Sequence, residues 1–199
     1  MVLLMITRLN VTANNKIPFG ARTFYTVNPQ LPPLILQELT KQVKELTYHR
    51  SYIGGASGQL EEHSMRTSNQ CWLCWDTWVA GIMHNIFISA NNDFFHYDLD
   101  HFDSGIQATR YAVGQKYGWH CDNDLMDSPR KLSMSLVLDS EFTGGELEIY
   151  EPYNHKTMSF DIKPGHVVIF PSWISHRVQP VTSGTRYSLV AWMNGPEFL

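Results

Sequence analysis

The chain has 199 residues, a formal net charge of −4, 17% charged side chains and 13% aromatic ones. That length buries one core of good size, and the lack of any Lys or Arg block argues against a nucleic-acid partner. No stretch approaches the roughly 20 apolar residues of a membrane helix, and three cysteines make no disulfide framework, so the sequence predicts a soluble protein of a reducing compartment, the cytoplasm.

Residues 1 to 28 read as irregular chain or short strands, broken by Asn14, Asn15, Pro18 and Gly20. Pro33 to Leu46 then predicts an amphipathic helix with Leu34, Ile35, Leu39, Val43 and Leu46 on one stripe. From Ser51 to Asn69 the periodicity is lost around Gly54, Gly55 and Gly58, which predicts a mobile loop able to serve as a lid. Cys71 and Cys74, inside CWLCWDTW, lack the second pair that a zinc knuckle needs and read as buried packing residues. Trp78 to Ala90 predicts a second helix, with Trp78, Ile82, Ile86 and Ala90 recurring on one face.

After Asn91 the pattern turns to strands, expected near 94–99, 106–111, 119–122, 132–138, 146–150, 157–162, 166–170, 176–181 and 186–193. Turn signals at Ser128-Pro129, Gly144-Gly145, Pro152 to Asn154, Pro164-Gly165 and Ser183-Gly184 separate the later ones. Helices first and many short strands after predict an α+β, mainly β chain. Its core is a double-stranded β-helix (jelly roll, cupin-like) over about 94–193, braced by N-terminal helices within about 1–93, and the whole of 1–199 is expected to be one domain.

Three His-x-Asp pairs compete for a metal: His96/Asp98, His101/Asp103 and His120/Asp122. In a strand, residues two apart share a face, so each pair presets two ligands. Only His120/Asp122 is followed by a third ligand, His176, and by a cation, Arg186, ten residues later. That gap suits a turn through Thr182 to Gly184 and a return on the neighbouring strand, which brings the guanidinium into the same cavity. Two imidazoles and one carboxylate leave three positions of an octahedral Fe(II) open for a chelating co-substrate and dioxygen. A planar guanidinium grips a carboxylate through two parallel hydrogen bonds, and Ser188 shares the face of Arg186. His155 and His166 lack such a follower and read as a turn and a strand-edge residue.

On these motifs the chain resembles the 2-oxoglutarate/Fe(II)-dependent oxygenase superfamily, and within it the prolyl 4-hydroxylases. The run from Tyr111 to Asp122 (YAVGQKYGWHCD) is similar to the family's first-ligand strand, Gly144-Gly145-Glu146 to its hairpin, His176 and Arg186 to its distal half, and Arg66-Thr67-Ser68 with Trp72 to a motif beside its lid and substrate groove. The resemblance spans about residues 33 to 193. It implies His120, Asp122 and His176 as iron ligands and Arg186 as the partner of the 2-oxoglutarate C5 carboxylate. Tyr111, Tyr117 and Trp192 are implied to line the active site, where Ser188, by its shared face with Arg186, is expected to add a hydroxyl donor to co-substrate binding, and Arg66, Ser68, Trp72 and Arg130 are implied to lie near substrate. Arg186 stands where collagen-type members carry Lys, Asn194 replaces a His of some plant and algal members, and Val137 replaces a frequent Tyr. These departures touch the choice of substrate rather than the chemistry.

The expected function is hydroxylation of a prolyl residue in a peptide or protein, with Fe(II), 2-oxoglutarate and dioxygen consumed and ascorbate as reductant. The same iron centre acting on a non-prolyl side chain, a free amino acid or a small metabolite is the alternative. A non-catalytic jelly-roll binding module is the remote one, since fold alone does not imply activity.

Overall fold

The structure is a computed structural model, and it describes residues 23–51, 65–103, 105–123 and 129–196. Most of the expected N-terminal strands (1–22) and of the expected lid (52–64) lie outside the described residues. The elements in chain order are β1 (Tyr25–Val27), α1 (Pro33–Lys44), β2 (His49–Arg50), β3 (Asn69–Leu73) and α2 (Trp78–Ala90). There follow β4 (Ile106–Tyr111), β5 (Tyr117–His120), β6 (Arg130–Val137), β7 (Phe142–Gly144), β8 (Leu147–Glu151), β9 (Lys156–Phe160), β10 (Val167–Pro171), β11 (His176–Val178), β12 (Val181–Gly184) and β13 (Arg186–Asn194).

Seven strands pair antiparallel in the order β1-β10-β6-β13-β4-β3-β2, and four more in the order β5-β11-β8-β9. The large sheet carries the helices on one face and the small sheet on the other, the jelly roll that the sequence predicts, and its period-2 residues divide accordingly. Val167, Ile169, Leu189, Ala191 and Met193 pack with Leu39 and Val43 of α1 and Met83, Ile86 and Phe87 of α2. Val168 and Phe170, one residue out of step, pack with Leu147, Ile149 and Val178 of the small sheet. Each fully buried aliphatic or Met side chain here contributes roughly 1.5–3 kcal/mol.

Helix α1 begins on Pro33, whose missing N–H falls among the unpaired donors of a first turn, and ends with Lys41 and Lys44 on the negative end of its dipole. Lys44 also reaches Asp139 at 2.8 Å and Glu141 at 2.7 Å, tying the helix to the loop after β6. The expected stripe is narrower than drawn, because Leu34 is 77% exposed. Helix α2 has the predicted bounds, but its buried face is Val79, Ala80, Met83, Ile86, Phe87 and Ala90, and Trp78 stands outside it.

Four further expectations fail for identifiable reasons. Residues 94–99 are not a strand: a π-helical turn covers Asn91–Phe95 and His96 follows at φ 60°. Asn91 closes that turn by donating from Nδ2 to the Tyr97 carbonyl and accepting the Tyr97 N–H, both at 2.9 Å. The cysteines are not both buried, since Cys74 is exposed and Cys71 half-buried on β3, a strand the sequence reading left out. Residues 176–181 are two strands, β11 and β12, in different sheets. Arg186 therefore does not return beside His176; β13 lies in the large sheet and faces β11 across the sandwich.

Candidate active site

The small sheet supplies the two imidazoles. His120 on β5 is directly paired with His176 on β11, with ring centroids 4.1 Å apart. Asp122 is not on the strand, as the alternation argument expects, but two residues past its end. There its N–H, and that of Asn123, donate to the Ser172 carbonyl at 2.8 and 3.0 Å, turning the carboxylate back under the rings. Asp122 Oδ1 lies 3.6 Å from His120 Nε2 and Oδ2 lies 3.4 Å from His176 Nε2, and one donor atom from each residue falls within 4.8 Å of the others.

The protons on the rings follow from their partners. His120 Nδ1 donates to the Gly118 carbonyl at 2.8 Å and His176 Nδ1 to the Ile174 carbonyl at 2.9 Å, which leaves both Nε2 lone pairs facing Asp122. Burial pushes His176 down to about 4, so the ring is neutral at ordinary pH. Burial alone would raise the Asp122 carboxyl, but the neighbouring His176 and His120 hold it well below the usual carboxylate range. Its Oδ2 is buried with no hydrogen-bond partner among the described residues. A buried charge without a hydrogen bond is costly, and a cation between two imidazole nitrogens and that oxygen removes the cost. The donor set thus fits a two-histidine, one-carboxylate metal site. The other two His-x-Asp pairs do not form a cluster of three ligands among the described residues; His101 instead pairs with Asp100 and Asn194.

The large sheet supplies the opposite wall of the same cavity, which measures about 430 Å3. Arg186, Ser188, Val190 and Trp192 alternate along β13 into it, and Gln107, Thr109 and Tyr111 along β4. Arg186 is 2% exposed and donates from Nη1 to Ser188 Oγ at 2.6 Å, with the Tyr111 ring centre 5.6 Å from its Cζ. No carboxylate among the described residues lies within ion-pairing distance of this buried, permanently charged fork, and Asp139 and Glu146 act on it only from farther away, so it looks into the cavity without a direct ion pair. Burial lowers its pKa, with Tyr111, Asp139 and Glu146 opposing. Ser188 Oγ is also 2.7 Å from Thr109 Oγ1, which fixes the hydroxyl under the guanidinium.

The glycine pair explains how so long a side chain fits. Gly144 and Gly145 both have positive φ, and a Cβ on Gly145 would lie 3.0 Å from Arg186 Cδ and 3.0 Å from Val181 Cγ2. Only glycine gives this turn and leaves the arginine its path.

At the mouth, Tyr117 stacks on His120 with ring centroids 3.5 Å apart, and the Arg66 guanidinium sits 4.5 Å over the Tyr117 ring. Burial pushes the Tyr117 phenol up to about 12. Arg66 donates to Ser68 Oγ at 2.9 Å and to Gln107 Oε1 at 2.7 Å. Arg130 lies 4.1 Å over the Trp192 ring, which Trp72 packs against at 6.0 Å. Eleven of the twelve residues singled out from the sequence line this cavity; Ser68 does not, and serves to hold Arg66. Gln107 and Thr109 were missed. Their positions two and four residues before Tyr111 on one strand were the available signal.

Residues 106–194 match the family model described as the 2OG-Fe(II) oxygenase superfamily. A PKHD-type hydroxylase of Synechococcus sp. (strain CC9605) is 40% identical over 88 residues, which is 43% of this chain and 39% of the relative. A PKHD-type hydroxylase of Idiomarina loihiensis is 36% identical over 91 residues, 44% of this chain and 41% of the relative. The chain thus spans about two fifths of the length of the curated relatives it matches. Among solved structures, a Pseudomonas putida prolyl-4-hydroxylase superposes with TM-score 0.73 at 17% identity, covering 90% of this chain and 96% of that one. A prolyl hydroxylase from Trichoplax adhaerens, in complex with a hypoxia inducible factor oxygen degradation domain peptide fragment, superposes with TM-score 0.74 at 18% identity, covering 88% of this chain and 85% of that one.

Proposed function

We propose that this chain, whose residues 106–194 match the 2OG-Fe(II) oxygenase superfamily model and whose fold is like that of solved prolyl hydroxylases, is such an oxygenase and hydroxylates a prolyl residue in a peptide or protein. His120, Asp122 and His176 are the metal ligands of this reading, and Arg186 with Ser188 the receptor for the far carboxylate of 2-oxoglutarate. Bound there, Fe(II) with 2-oxoglutarate and dioxygen supplies the oxidation that puts one oxygen atom on the substrate, and 2-oxoglutarate leaves as succinate and carbon dioxide. Ascorbate is the reductant that fits such a site.

The chain's own residues do the positioning. The backbone carbonyls of Gly118 and Ile174 orient the two imidazoles, and Ser172 orients Asp122. Arg186 binds a carboxylate in a pocket where burial strengthens the attraction, and Tyr111 closes the side of that pocket. Arg66, Trp72 and Arg130, at the mouth, hold the substrate so that its target carbon faces the ligands. Tyr117, stacked on His120 and capped by Arg66, keeps the imidazole from tilting. We place the activity in the cytoplasm, in keeping with three free cysteines, and in a single domain. Among the described residues no helix is long and apolar enough to cross a membrane.

The observation that carries this reading is one cavity with a metal-ready triad at one wall, two of its ligands on the small sheet, and a buried arginine without a direct ion pair on the other. Succinate formation from 2-oxoglutarate and Fe(II), with and without proline-containing peptides, tests it. Peptide-stimulated succinate with one added oxygen on proline supports the reading. Succinate with unmodified peptides keeps the chemistry and moves the substrate to a non-prolyl side chain, a free amino acid or a small metabolite. No turnover with any of these favours the binding module.

A further inference from the structure

Asp122 and Trp192 face each other across the cavity, and each keeps a polar atom that the fold leaves unanswered. Oδ2 of the one and Nε1 of the other are buried without a hydrogen bond of ordinary length and angle among the described residues. An indole N–H can only donate, and a buried one normally finds an acceptor. Trp192 is 4% exposed, so water does not supply one freely. The Asp122 carboxylate is within its reach: against burial, which favours the neutral acid, His176, His120 and the Trp192 N–H all favour the charged form.

The ring is held in place by groups that make no use of its N–H. The Arg130 guanidinium lies 4.1 Å over it and Trp72 packs against it at 6.0 Å. A cation over the face leaves the ring edge, where the N–H lies, able to donate. Arg130 is itself anchored, with Nη2 on Asp103 Oδ2 at 2.6 Å and Nη1 donating to the Asp122 carbonyl at 3.4 Å, while the Asp103 N–H donates to the Trp192 carbonyl at 3.0 Å. The backbones are tied as well. Trp192 on β13 pairs with Ser133 on β6, Ser133 Oγ lies 3.0 Å from Ser172 Oγ, and the Ser172 carbonyl accepts the Asp122 N–H at 2.8 Å. The indole and the Asp122 turn thus keep a fixed relation through the fold itself, which is what an outer-shell hydrogen bond to a metal ligand requires.

We propose that Trp192 is a positioning residue of the metal site: its indole N–H donates to the Asp122 carboxylate oxygen that the metal does not take. A carboxylate that commits one oxygen to the indole offers a cation the other alone. The protein then supplies one ligand atom from each of His120, Asp122 and His176, and the remaining positions stay open for co-substrate and dioxygen. The inference rests on the metal-site reading of these three residues, and the experiment separates the two. Mn(II) binding is measured from the electron paramagnetic resonance of the free ion for wild type, for Trp192→Phe, and for protein with 3-benzothienylalanine in place of Trp192. That residue has the shape of tryptophan with sulfur where the N–H stands, so it keeps the packing and removes only the donor. Unchanged circular dichroism verifies each fold. Both altered proteins bind Mn(II) about 10–100-fold more weakly, the usual loss for an outer-shell partner. Equal Mn(II) affinity in wild type and the sulfur isostere overturns the proposal and leaves the metal site standing. A second readout comes from indole-15N labelling of metal-free protein. The Trp192 N–H signal, identified by its absence from Trp192→Phe, moves upfield in Asp122→Ala as the hydrogen bond is lost. A signal that stays in place overturns the proposal alone, whereas absence of Mn(II) binding to wild type overturns the metal-site reading and the proposal with it.

Discussion

Replacing Gly145 by alanine puts a methyl group where the structure leaves room only for the Arg186 stem. Two costs add. The residue sits at φ +67°, a left-handed conformation that costs a non-glycine side chain roughly 1–2 kcal/mol. The new Cβ also lies 3.0 Å from both Arg186 Cδ and Val181 Cγ2, so both neighbours must give way by a few tenths of an ångström inside a closed core, adding about 1–2 kcal/mol. Gly114→Ala is the matched control, because Gly114 has φ +79° but nothing within 4 Å of its would-be Cβ. Thermal unfolding followed by circular dichroism should therefore show Gly114→Ala losing about 2–8 °C and Gly145→Ala about 4–16 °C, at ~2–4 °C per kcal/mol for a chain of this size. The two differ in kind as well. Displacing the guanidinium should weaken 2-oxoglutarate binding to metal-loaded protein about tenfold, worth ~1.4 kcal/mol, in Gly145→Ala alone. Equal Tm losses with unchanged 2-oxoglutarate affinity in both would refute the claim that Gly145 makes the path for Arg186.

Metal loading should stabilise the fold, because it relieves the unpartnered Asp122 Oδ2. With Mn(II) as a stand-in for Fe(II) at ~100 times its dissociation constant the gain is about 2.7 kcal/mol, read as a rise in Tm that Asp122→Asn abolishes. Ser188→Ala leaves an Arg186 N–H without its partner, while the Thr109 hydroxyl keeps its bond to the carbonyl of residue 188 at 3.2 Å; the expected loss is about 1–3 kcal/mol, with a matching fall in 2-oxoglutarate affinity by titration calorimetry. Burial, aided by Lys163, depresses the His166 pKa in the fold. A depressed histidine takes up its proton more readily when unfolded, so its contribution is whole above pH ~6.5 and is lost as pH falls below that. Chemical denaturation should accordingly show His166→Gln losing less stability than wild type between pH 7.5 and 5.5.

What the sequence made legible was whatever local spacing determines. Helix α2 carried its own period and appeared within its bounds, and His120, His176 and Arg186 sit on strands whose apolar alternation is clear. Asp122 does stand beside the two imidazoles, but the tertiary bond from its N–H to Ser172, and not strand alternation, aims the carboxylate. Which sheet a strand joins is a non-local matter. The ten residues between His176 and Arg186 look like a hairpin, yet β12 pairs with β7 and not with β11, so the two residues approach from opposite walls. The stretch NNDFFHYDLD resembles a strand in aromatic content, and the paired Asn91–Tyr97 hydrogen bonds, with the His96 N–H on the Asn91 carbonyl, override that preference. The cavity-lining position of Gln107 and Thr109 was hidden because polar side chains on a central strand are ambiguous until the opposite wall is known.

If the triad and Arg186 serve one reaction coupled to a prolyl substrate, succinate and hydroxyproline form together. The direct measurement is the ratio of succinate released to hydroxyproline formed, by mass spectrometry, with purified protein, Fe(II), 2-oxoglutarate, ascorbate and a proline-rich peptide. The expected ratio is near one in wild type, with neither product in Asp122→Ala. Hydroxyproline formed without succinate, or equal yields of both products from Asp122→Ala, would contradict it.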